Sequence, residues 1–179
     1  LNPRKPKEID DDLVISFLAM PSVSEDGNVD LSVNRTYGEV KKGFTYFQER
    51  DVLFAKITPC MENGKGAVVE GLSNGMGMGS TEFHVLRTIK GVTNPYWIYV
   101  LTMFKEFRVN ARKVMTGTGG QLRVPITYLQ NYEISLPPIE MQNEFELFYK
   151  KSNKSKNVLN QNISNLDRTI KALMAKNFG

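Results

Sequence analysis

The chain has 179 residues, 41% hydrophobic and 23% charged, with a formal net charge of +4. These proportions suit a folded globular protein and exclude a mainly disordered one. The longest stretch without Asp, Glu, Lys or Arg is the 14 residues between Lys90 and Lys105, short of the roughly 20 that a membrane-spanning helix needs. A single cysteine, Cys60, and a single histidine, His84, exclude an internal disulfide framework and a Cys- or His-rich metal centre. No basic segment followed by an apolar one opens the sequence, so no secretory signal is read there.

Charge is unevenly spread. Residues 1–139 hold 16 basic and 15 acidic side chains, and residues 140–179 hold 7 and 4. A mildly basic chain of this kind permits a nucleic-acid partner without requiring one.

In chain order, residues 13–20 read as a strand that Pro21 ends, and residues 51–57 as a second. Residues 66–69 and 82–86 are two more. Residues 24–28, 61–66 and 71–80 read as turn-rich loops. Asn94 followed by Pro95 signals a helix start. Trp97, Val100, Leu101, Phe104, Ala111 and Met115 then recur at helical spacing, and Gly117 is placed to end the helix. The other face of this helix carries Lys105, Arg108 and Arg112, read as a solvated row or as phosphate contacts. Residues 126–136 are expected to hold at least one further extended segment, with Tyr132, Ile134 and Leu136 alternating.

The sequence divides at Pro137-Pro138. Residues 1–138 form the expected globular unit. Residues 139–178 contain neither Pro nor Gly and are expected to form one long helix. Leu159, Ile163, Leu166, Ile170 and Leu173 are spaced 4, 3, 4, 3, a coiled-coil seam. Extended backwards, that register includes Phe145 and Tyr149 and meets polar Ser152 and Lys156. Such a helix is about 58 Å long, so part of it is expected to project and to pair with another helix. The expected class is α+β: a mixed-sheet body followed by a long C-terminal coiled-coil helix.

Catalytic patterns fail on inspection. Asn94-Pro95-Tyr96-Trp97 is similar to the Asn-Pro-Pro-aromatic motif of DNA amino-methyltransferases, but the second Pro is missing and helix capping accounts for it. Residues 75–79 lack the spacing of a dinucleotide loop, and residues 63–66 lack the flanks of a P-loop. Cys60 and His84 have no evident third partner. No catalytic residue, metal site or cofactor site is assigned.

Six segments together resemble the specificity subunit of type I restriction-modification systems. They are residues 1–6 (LNPRKP), 14–20 (VISFLAM), 51–65 (DVLFAKITPCMENGK), 79–83 (GSTEF), 117–124 (GTGGQLRV) and 134–142 (ISLPPIEMQ). The resemblance covers nearly the whole chain and matches one repeat: one target recognition domain and one spacer helix. A complete subunit has two of each, so the chain is expected to be a fragment or a natural half-subunit. The resemblance implies a non-catalytic protein of the bacterial or archaeal cytoplasm that reads half of a split site on double-stranded DNA. It implies docking to methyltransferase subunits, which carry S-adenosylmethionine, and an ATP-driven restriction subunit in the full complex. Pairing through the helix would be within one chain or between two. The competing readings are an oligomerising adaptor that binds no DNA and the specificity domain of a fused restriction-methyltransferase.

Residue chemistry selects the DNA-contact candidates. Arg, Lys, Asn and Gln present paired groups to base edges, while Lys, Arg, Ser, Thr and glycine backbone suit phosphates. One loop offers Lys56, Thr58, Asn63 and Lys65. A second offers Ser80 and Thr81. A third offers Thr116, Gly117, Thr118, Gly119, Gly120, Gln121 and Arg123, and Arg112 and Lys113 precede it.

Overall fold

The computed structural model describes residues 1–178. Its elements run β1 (Val14–Leu18), β2 (Asn34–Thr36), α1 (Tyr37–Val40), β3 (Thr45–Gln48), β4 (Val52–Ala55), β5 (Gly66–Val68), β6 (Met76–Gly79) and β7 (Phe83–Leu86). Then come α2 (Pro95–Met103), α3 (Lys105–Lys113), β8 (Thr116–Thr118), β9 (Gln121–Arg123), α4 (Ile126–Asn131) and α5 (Ile139–Phe178). The class is α+β.

One sheet has the order β2-β1-β6-β3, with β1 and β6 parallel and the outer pairs antiparallel. The other, β5-β4-β7, is wholly antiparallel. Strand β4 explains the layering. All four of its residues are buried, and successive side chains point to opposite faces. Leu53 and Ala55 join Leu18, Phe47, Phe83 and Val85 between the two sheets. Val52 and Phe54 face the other way, with Tyr99 of α2 and with Phe107 and Ala111 of α3. An unbroken apolar run is what a strand covered on both faces requires.

Three expectations are corrected. Residues 71–80 are not all loop, because Met76–Gly79 is an interior strand of the first sheet. Its alternating glycines hide it from propensity, yet they are what fits: a Cβ on Gly77 would meet the Phe47 ring, and one on Gly79 the Leu18 carbonyl. The helix after Asn94 is two helices, broken at Phe104, whose backbone is extended (φ −62°, ψ 135°). Residues 126–136 supply no strand to any sheet, and Ile126–Asn131 is helical. There Tyr128 stacks edge-on to Phe107 and donates its hydroxyl to the Phe107 carbonyl at 2.8 Å. The pattern does not signal β2, β3, β8 or β9, and the helix expected to end at Gly117 ends at Lys113, with Gly117 inside β8.

Helix α5 begins directly after Pro137-Pro138 and runs 40 residues. Among the described residues, no helix is long and apolar enough to cross a membrane.

Candidate nucleic-acid interface

The three candidate loops meet on one face. The chain leaving β4 stays extended and is flanked by β9: Val124 N–H donates to Lys56 O at 2.8 Å, and Thr58 N–H to Leu122 O at 2.9 Å. On its other side, Lys56 N–H donates to Glu82 O at 2.9 Å. The Thr58 hydroxyl donates to Gly120 O at 2.7 Å and accepts from Leu122 N–H at 3.1 Å. Lys56, Thr58, Ser80, Thr81 and the β8–β9 hairpin therefore form one continuous edge.

The hairpin turns through Gly119 and Gly120, with φ of 61° and 77°. Two consecutive left-handed residues define a tight two-residue turn that glycine makes without strain. Thr116, Gly117, Thr118, Gly119, Gly120 and Gln121 are exposed. Beneath them, Arg123 lays its guanidinium on the Glu82 carboxylate, with Nε 2.9 Å from Oε2 and Nη2 2.8 Å from Oε1. That contact holds the Glu82 carboxyl below the usual carboxylate range and raises Arg123.

Other candidates lie apart or are differently engaged. Asn63 is exposed in the turn after Thr58, whereas the Lys65 ammonium is directed to Met20 O at 3.4 Å. Arg112 is exposed but paired with Glu62, and Lys113 reaches Asn110 at 3.1 Å. The row Lys105, Arg108, Arg112 does not exist as a solvated face. Arg108 is half-buried over Gly64, with Nε donating to Thr102 O at 3.1 Å, and burial lowers its pKa.

His84 pins this edge from behind. Its Nε2 lies 2.9 Å from Val124 O and its Nδ1 3.2 Å from the Asn2 amide nitrogen. The carbonyl requires Nε2–H, so Nδ1 accepts from Asn2 and the ring is neutral. Burial pushes its pKa below the ordinary value, only partly opposed by the Val124 contact. An unfolded chain then binds a proton that the folded one excludes, so stability falls as pH drops below about 6.5. Urea unfolding at about pH 7.5 and about pH 5 should show this loss, and a His84→Gln variant should lose the slope. The acidic residues act lower: Glu146 titrates at about 2, so its contribution disappears only as pH falls from 4.5 towards that value. Among the described residues, no cluster of three or more His, Cys, Asp or Glu side chains is placed to hold a metal ion.

A second constellation, absent from the sequence reading, roots α5 in the body. Gln142 is fully buried. Its Oε1 accepts from Asn94 N–H at 2.9 Å, and its Nε2 donates to Val92 O at 3.0 Å and Pro137 O at 2.7 Å. Asn94 caps α2 by accepting from Tyr96 N–H at 2.8 Å, and donates to Glu146 at 2.6 Å. Glu146 also takes both terminal nitrogens of Arg50, at 3.0 and 2.7 Å, and Lys150 at 2.9 Å. Glu70 bridges Arg50, Lys150 and the Tyr96 hydroxyl. Burial alone would raise the Glu146 carboxyl, but the bonds from Arg50, Lys150 and Asn94 bring it down to about 2. Gln142 stands in the ISLPPIEMQ segment, yet its partners at 92 and 94 are distant in sequence.

The seam is corrected in its first half. Phe145 packs edge-on against Trp97 at 5.4 Å, and Tyr149 packs on Tyr96 and Tyr99. Tyr149 is thus committed to the body. The exposed stripe instead runs back through Ser155, Ser152 and Phe148 to Met141, with Phe148 70% and Met141 59% exposed. The difference is a stutter: Ser155, Leu159 and Ile163 are separated by two successive steps of four. Leu159, Ile163, Leu166, Ile170 and Leu173 are all more than half exposed.

Comparison with known proteins gives concordant matches. The family model of the type I restriction modification DNA specificity domain matches residues 3–167. The specificity subunit of the type I restriction enzyme EcoEI from Escherichia coli is 41% identical over 140 residues, 77% of this chain and 23% of that protein. The corresponding EcoAI subunit, also from Escherichia coli, is 39% identical over 135 residues, 74% of this chain and 23% of that protein. The chain thus spans about a quarter of the length of these relatives. Among solved structures, the HsdS subunit from Thermoanaerobacter tengcongensis shares the fold with a TM-score of 0.66 at 18% identity, covering 90% of this chain and 41% of that one. A structure of a type I R-M system in the context of its assembly and conformational transition scores 0.63, with the same coverage. With the family model spanning most of the chain and two relatives near 40% identity, the chain belongs to the type I restriction-modification DNA specificity domain family.

Proposed function

We propose that this chain is one reading unit of a type I specificity subunit, without catalysis of its own. It binds half of a split site on double-stranded DNA through the edge formed by Lys56, Thr58, Ser80, Thr81 and the β8–β9 hairpin. The observation that carries the reading is this convergence: three polar loops, distant in sequence, bring hydroxyls, an amide and glycine backbone to one edge, exposed at Thr81 and along residues 116–121. Helix α5 serves as spacer. Its exposed seam pairs with a second such helix, and the pair receives methyltransferase subunits carrying S-adenosylmethionine. A restriction subunit with ATP completes the complex.

Binding to a fluorescent duplex of random sequence tests this. Affinity should fall with salt at about 0.9 in log–log slope per phosphate contacted. Absence of binding at low salt would overturn the proposal and leave the exposed seam of α5 as the mark of an adaptor.

A further inference from the structure

The Arg123–Glu82 pair lies at the centre of the proposed DNA edge, and its geometry is that of a prepared reader. A guanidinium has five N–H donors. Nε–H and one Nη2–H go to Glu82, and one Nη1–H goes to Gln121 O at 3.2 Å. One N–H remains on each terminal nitrogen. Those two nitrogens form the fork that matches guanine O6 and N7 in the major groove. The Arg123 side chain is 39% exposed and Glu82 25%, so the arginine is open to solvent on the side its partner does not cover. The pair is anchored at both ends. Glu82 follows a turn in which its N–H donates to the Ser80 hydroxyl at 3.2 Å, and Arg123 is held by the bridge between β9 and Ile57.

We infer that Arg123 reads a guanine in the target and that Glu82 is the positioning residue that presents its guanidinium. This rests on the DNA-binding reading above and adds the base class that one part of the edge recognises. A free arginine samples many rotamers, and ordering it on binding costs affinity. Glu82 orders it beforehand and neutralises part of its charge. The carboxylate thereby also weakens non-specific attraction to phosphate, which sharpens discrimination.

The test is selection of bound duplexes from a random pool by the wild-type chain, Glu82→Gln and Arg123→Lys, followed by sequencing. Thermal unfolding confirms that each variant is folded, and the two substitutions serve as independent probes should one not fold. The wild type should enrich a motif containing a guanine. Both variants should relax that one position, by roughly 10- to 100-fold, and leave the other positions intact. Glu82→Gln should also bind random duplex more tightly, since a negative charge leaves the edge. A motif unchanged at every position in a folded variant would overturn the inference and make the pair a structural clasp. Uniform weakening with the motif intact would do the same. A wild-type pool without enrichment would overturn the DNA reading together with the inference.

Discussion

Replacing Gln142 with leucine should destabilise the protein by about 3–5 kcal/mol, although the two side chains are nearly the same size. The substitution leaves one buried N–H donor, at Asn94, and two part-buried carbonyls, at Val92 and Pro137, without partners. Each such orphan costs on the order of 1–3 kcal/mol. The loss also reaches the start of α2, because Asn94 is its cap and is held from both sides. Urea denaturation measures it directly, and in a separate thermal melt the midpoint should drop by roughly 10 °C. A loss below about 1 kcal/mol would mean that the polar root of α5 is dispensable and that Phe145 and Tyr149 hold the helix by themselves.

The double substitution Ile163→Asp and Ile170→Asp should abolish association through α5, raising the dissociation constant at least about a thousandfold. Both positions are exposed in the single chain. A new carboxylate there is solvated in the monomer and buried only in the pair, so the entire penalty falls on association. The body should be untouched, with the same unfolding midpoint as the parent. Sedimentation at several concentrations separates the two effects. A double variant that still pairs would move the interface off the seam. A parent chain that stays monomeric would assign the partner helix to a sequence outside this one.

What could be read beforehand followed from local physics. The apolar run of β4 and the Asn94-Pro95 start of α2 announce themselves within a few residues. The direction of α5 after Pro137-Pro138 is equally local. The misses share a different cause. Strand β6 is half glycine, and its place in the first sheet depends on the Phe47 ring lying over it. The break at Phe104 turns Phe107 and Ala111 towards Phe54, a contact that no local periodicity encodes. The loops at 56–58, 80–81 and 116–123 were identified separately. Their union needed β9 to flank the extension of β4. Nothing local marks Glu82, because its partner Arg123 is 41 positions away. For α4, a usable signal existed: Pro125 ahead of Tyr128 and Tyr132, four apart, both packing on Phe107.

The root of α5 has a mechanical consequence. A straight rod of 40 residues is about 60 Å long, so each degree of tilt at its base swings its tip by about 1 Å. A base-pair step is about 3.4 Å. A slackening of roughly three degrees around Gln142 and Glu146 would therefore displace whatever rides at the far end by a whole step. Two aromatic side chains alone would let the rod pivot, whereas directional bonds to Asn94, Val92, Pro137 and Arg50 resist rotation in several planes at once. In the proposed assembly the buried polar knot is the gauge that sets how far apart two half-sites are measured.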